Sequence, residues 1–141
     1  MSALLLTGSD AADYPADRSW TPIAFMLFIA TDRRIDASVI AERALAQGLL
    51  AVSAWGTGCA AIEETFDELY VGDGTREVTD ANLLVTTSHP DESLEDSLAD
   101  FLHSPALHGR APAAARVIFA LGDLGPRIAA FLATWDLQNR C

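Results

Sequence analysis

A thiol and an imidazole, each at the edge of an apolar run, are the groups best placed to do chemistry. Cys59 follows the turn Gly56-Thr57-Gly58 and opens a helical pattern. A helix start favours the thiolate, since its unpaired N–H groups stabilise negative charge. His89 follows the run Asn82 to Ser88 and stands two residues before Asp91. If the two loops meet, Cys59 is a nucleophile, His89 its base, and Asp91 or Asp32 the carboxylate that orients the imidazole. That set would act on an acyl-type carbon. The same residues also have a structural reading. Free cysteine is among the most buried residue types. His89 then lies in an ordinary loop before a helix capped by Ser88, Asp91 or Ser93.

Other chemistries find less in the chain. "SAWGTGC" places glycines before a helix, as a phosphate loop would, but it fits neither GxGxxG nor GxxxxGK[ST]. The acids that follow would repel a phosphate. Cys59 and Cys141 form no CxxC pair, and His103 and His108 flank Pro105 without partners at paired spacing. No metal site and no cofactor is expected.

The elements that must position these residues show in the hydropathy pattern. Pro22 to Asp32, Leu49 to Trp55, Asn82 to Ser88 and Ala115 to Gly122 are apolar on both alternating sets, the mark of strands covered on both faces. Amphipathic stretches lie between them. Asp36 is placed to cap one that Gly48 ends. The next carries Ile62, Phe66, Leu69 and Tyr70 on one stripe, with Glu64, Asp67 and Glu68 opposite. A third carries Leu94, Leu98, Phe101 and Leu102. The last has Pro126 in its first turn. This alternation predicts one α/β domain over residues 1–141. Its mainly parallel, doubly wound sheet has about four strands with helices on both faces, Rossmann-like or flavodoxin-like. Ser2 to Thr7 can add an edge strand, and a polar loop follows to Ser19.

In such sheets ligands bind beyond the carboxyl ends of the strands. The expected binding residues are therefore Asp32, Trp55, Thr87 and Asp123. Asp32, Trp55, Cys59, Thr87 and His89 should line one depression. Trp55 there is either a ligand platform or a large body packed inward.

The chain has 141 residues, nine arginines, no lysine and twenty acids, for a net charge of −11. Nucleic acid is excluded as a partner, because binding it depends on neutralising phosphates. A basic protein is the complementary partner. The longest apolar run, Ile23 to Ala30, is too short to span a bilayer. The start lacks a basic segment before its apolar residues, so a cytoplasmic location is expected. Oligomeric state is open, a homodimer included.

"AWGTGC" before an acidic helix, together with "VTTSHPDESLEDSLADFL", resembles a family of small bacterial α/β domains of unknown function over about Pro22 to Leu102. The resemblance implies that the two loops belong together and brings no activity. The leading expectation is a small acidic binding or accessory domain that holds a protein partner. A thiol enzyme built on Cys59 and His89 is the alternative.

Overall fold

The computed structural model describes residues 3–17, 25–72, 84–103 and 115–138. In chain order the elements are β1 (Ala3–Gly8), a 3-10 turn (Ala11–Asp13), β2 (Phe25–Thr31), α1 (Ser38–Ala46), β3 (Leu49–Gly56), α2 (Cys59–Val71), β4 (Val85–His89), α3 (Leu94–His103), β5 (Ala115–Leu121) and α4 (Leu124–Gln138). Cys141, His108 and most of the segments around residues 73–83 and 104–114 lie outside the described residues.

The strands form one sheet in the order β1-β5-β2-β3-β4, and every pairing is parallel. The sheet has five strands where the apolar runs predict four. The fifth is the amino-terminal segment, which pairs with β5 from Ala3 beside Arg116 to Gly8 beside Leu121. Its run is short because an edge strand needs apolar cover over less of its length. All seven residues of β2 are buried, as are six of the seven in β5. Central position explains the unbroken apolar runs of both.

Helices cover both faces, so the sheet is doubly wound in the Rossmann-like or flavodoxin-like manner. Odd-numbered side chains of β2 (Phe25, Leu27, Ile29) pack with Ile40 and Ala44 of α1 and with Ile62 and Phe66 of α2. Even-numbered ones (Met26, Phe28, Ala30) pack with Leu94 and Leu98 of α3 and Ile128 of α4. Each large side chain fully withdrawn from water contributes about 1.5–3 kcal/mol. The strand period of two thus builds two cores from one sequence. No helix of the described residues is long and apolar enough to cross a membrane.

Local signals set the helix ends. The Ser93 hydroxyl accepts from the Asp96 amide at 3.1 Å, so Ser93 is the cap of α3 among the three candidates. Asp36 accepts from the Ser38 amide and hydroxyl at 3.0 and 2.6 Å, one residue outside the position expected of it, because Ala37 is the N-cap of α1. Leu69 is 37% exposed and is not part of the buried stripe of α2, which runs through Cys59, Ile62, Phe66 and Tyr70. The loop after β1 is less polar in role than in composition. Tyr14 is fully buried, edge-on to Phe119 at 5.5 Å, and its hydroxyl donates to Gln47 Oε1 at 2.9 Å. The Gln47 amide in turn donates to the carbonyls of Pro15 and Ala16, and Arg43 to those of Ala12 and Tyr14. This segment is strapped over the core of α1 and α2.

Candidate functional site

A parallel sheet turns all its carboxyl ends to one edge, and the expected residues do lie along it. They divide between the two faces. Cys59 is 3% exposed and belongs to the core shared with α1 and α2. His89 pairs with Trp55 across β3 and β4, and Trp55 packs into the opposite core with α3 and α4. The sheet therefore separates the thiol from the imidazole.

Alternation along β4 makes this division. Thr86 and Ser88 point toward α2, where their hydroxyls donate to Asp67 Oδ1 at 2.8 Å and Glu63 Oε1 at 3.1 Å. Thr87 and His89 point the other way. The Thr87 hydroxyl meets that of Ser53 at 2.8 Å, and both border a cavity of about 180 Å³ between the sheet and α3. Met26, Ala51, Val85 and Phe101 make its apolar lining, with His89 and Asp100 as its ionisable groups. Of the five residues expected in one depression, Thr87 and His89 line this cavity.

The carboxylate beside His89 is Glu92 rather than Asp91. Glu92 Oε1 stands 3.2 Å from His89 Nδ1, and the two side chains are 44% and 14% exposed. Trp55 holds the loop in place, its indole N–H donating to the Glu92 carbonyl at 2.7 Å. That contact gives Trp55 a positioning role beside its packing one. The Ser97 hydroxyl donates to Glu92 Oε2 at 3.4 Å. Asp91 is exposed.

Asp32 and Asp123 are exposed at the ends of β2 and β5. The Asp32 carboxylate lies against Gly122, 2.8 Å from where a β-carbon on that glycine would stand. The Asp32 carbonyl accepts from the Thr57 hydroxyl at 3.4 Å. On the outer surface of α3 and α4, Arg127 grips Glu95 with two bonds of 2.8 Å. The Arg127 guanidinium holds the Glu95 carboxyl below the ordinary carboxylate range, and Glu95 pushes Arg127 further up.

Glu92, Asp100 and Ser53 were not among the residues expected at a site. The spacing His89-x-x-Glu92 was the available signal, since three residues across a strand-to-helix turn return to one side. Asp100 falls with Asp96 on the polar side of the α3 pattern, opposite Leu94, Leu98 and Phe101, yet it borders the cavity with Phe101.

A family model matches residues 4–135, and the description of that family is Domain of unknown function (DUF7684). No match was found among curated proteins or among solved structures.

Proposed function

Membership of that family, to which the chain belongs, brings no activity with it, and we propose from the chain's own surface that it is a binding domain for a basic protein segment docking on the outer face of α2. The observation that carries this reading is the composition of that face. Glu64, Asp67 and Glu68 are exposed there beside Val71, itself 50% exposed. Their spacing of three and four residues aligns them along one side of the helix. Among the described residues, the arginine–carboxylate pair is Arg127–Glu95, which lies across the sheet on α3 and α4. Glu64 and Glu68 thus remain available to arginines or lysines of a partner, with Val71 as an apolar contact, while Asp67 already accepts from the Thr86 hydroxyl. The net charge of −11 would speed such an encounter.

Thiol catalysis draws less support. A nucleophilic thiol needs exposure and a nearby base, whereas Cys59 is packed in the core and the His89 side chain lies on the other face of the sheet.

The test uses a short peptide of alternating arginine and leucine, with binding read by fluorescence anisotropy. Glu64→Lys with Glu68→Lys should weaken binding at least ten-fold. Glu42→Lys with Asp96→Lys changes the net charge equally on other surfaces and should leave most of the affinity. Affinity should also fall steeply with added salt. Equal losses for the two double variants would reduce the effect to overall charge and defeat the proposed face.

A further inference from the structure

We propose that His89, Glu92 and Asp100 bind a divalent transition-metal ion, with Zn²⁺ the ion that suits them best. One donor atom from each lies within 4.8 Å of the others. They come from three places, the end of β4, the loop after it and the second half of α3, so the arrangement is a product of the tertiary fold.

The His89–Glu92 contact is the independent sign of a cation. His89 Nδ1 is covered by protein and has no hydrogen-bond partner, although Glu92 Oε1 is only 3.2 Å away. In the tautomer that carries its proton on Nε2, this nitrogen and the carboxylate oxygen are two electron-rich atoms facing each other. A cation between them removes the conflict. The 3.2 Å spacing of this pair fits one: with metal–ligand bonds of about 2.1 Å, His89 Nδ1 and Glu92 Oε1 subtend about 100°, between the octahedral and tetrahedral angles.

The surroundings suit a metal as well. Ser97 engages Glu92 Oε2, which leaves Oε1 turned to His89, and Trp55 fixes the Glu92 backbone. Outer partners of this kind orient the ligands of protein metal sites. Asp100 is exposed on α3 and borders the same cavity, so a change of rotamer would bring its carboxylate to the ion. The cavity of about 180 Å³ beside His89 and Asp100 has room for several waters at about 30 Å³ each. Three protein ligands and open positions toward a cavity is the pattern of a site that takes a further small ligand. One imidazole with two carboxylates favours zinc and its first-row neighbours over calcium or magnesium, which prefer oxygen alone.

The site lies across the sheet from the α2 face and does not depend on the reading given to it. The test titrates Zn²⁺ into the full chain carrying Cys141→Ser, which removes the terminal thiol as a competing ligand. Calorimetry should show one ion per chain. Glu92→Gln, at a half-exposed position, should fold normally by circular dichroism and weaken binding at least ten-fold. His89→Ala should weaken it further. In the chain with all three histidines, ¹⁵N spectra should show one ring responding to a single equivalent of Zn²⁺, and that signal should be absent from His89→Ala. Absence of binding at one equivalent, or binding that survives Glu92→Gln with a different histidine responding, would overturn the assignment.

Discussion

The carbonyl oxygen of Thr31 occupies the space in which a side chain on Gly56 would have to begin. The same oxygen accepts from the Thr57 amide at 3.2 Å, so the turn after β3 is laid directly across the end of β2. Gly56 adopts φ +104, which L-residues rarely take. Gly56 of "AWGTGC" thus serves a close backbone approach, in place of the anion cradle its position first suggests.

Gly56→Ala should therefore be among the costliest single changes, since it combines a forbidden φ with a collision against backbone. A loss of about 3 kcal/mol or more is expected. Gly58→Ala meets only the flexible Arg34 side chain, at 3.3 Å, and should cost about 1 kcal/mol. Urea unfolding followed by circular dichroism would rank the two.

Cys59 should behave as a core residue. Its alkylation in the native chain, with Cys141 replaced by serine, should be slow near neutral pH and become fast only in denaturant. Cys59→Ser should cost about 1–3 kcal/mol, because the hydroxyl enters an apolar site. Rapid labelling of the native thiol that depends on His89 would contradict the packing described.

Gln47 ties the segment after β1 to α1 through one accepted and two donated hydrogen bonds. Gln47→Leu would leave the Tyr14 hydroxyl without this acceptor and should cost about 2–3 kcal/mol. Tyr14→Phe in that background should recover part of the loss, and a double-mutant cycle would measure the coupling.

Acid should expose the Arg127–Glu95 pair. The carboxyl is held low in the folded state, so its stabilising effect is complete above the pKa it has when unfolded. That effect is lost as pH falls through the lower, folded value. Both side chains are nearly half exposed, so Glu95→Gln should cost below about 1 kcal/mol at pH 7. The gap between the two proteins should close as pH falls below the ordinary carboxylate range, and added salt should narrow it at any pH. Thermal unfolding across a pH series would show both effects. Asp36, held low by the Ser38 hydroxyl and amide, should respond in the same direction.

Much of the fold was legible because β2 and β5 are buried on both faces, which writes unbroken apolar runs into the chain. β1 was harder to read as a full member, since an edge strand leaves Leu4 39% exposed and shortens the signal. The helix stripes were legible to within one residue, and the error fell on Leu69, at the border where helical phase decides little. The site was legible only as an edge of the sheet. Which face each residue takes depends on register, and a strand reverses its side chains at every step. Ser88 and His89, adjacent in sequence, thus differ by one position and by the entire thickness of the sheet. Strand partnership could not be read at all, because nothing local in Ala3–Gly8 names β5 as its neighbour.

That partnership governs the order in which the molecule can come together. β5 lies between β1 and β2, yet of the described strands it is the last to leave the ribosome. Until it arrives, β1 lacks its described sheet neighbour. Both cores meanwhile lack a wall, since Val117 and Phe119 complete one and Ile118 and Ala120 the other. The growing chain holds Leu5, Leu27 and Phe28 without their final cover for most of its synthesis, a state that invites chaperones and proteases. Closure over so long a loop is slow, so folding should be limited by the late pairing of this one strand with β2 on one side and β1 on the other.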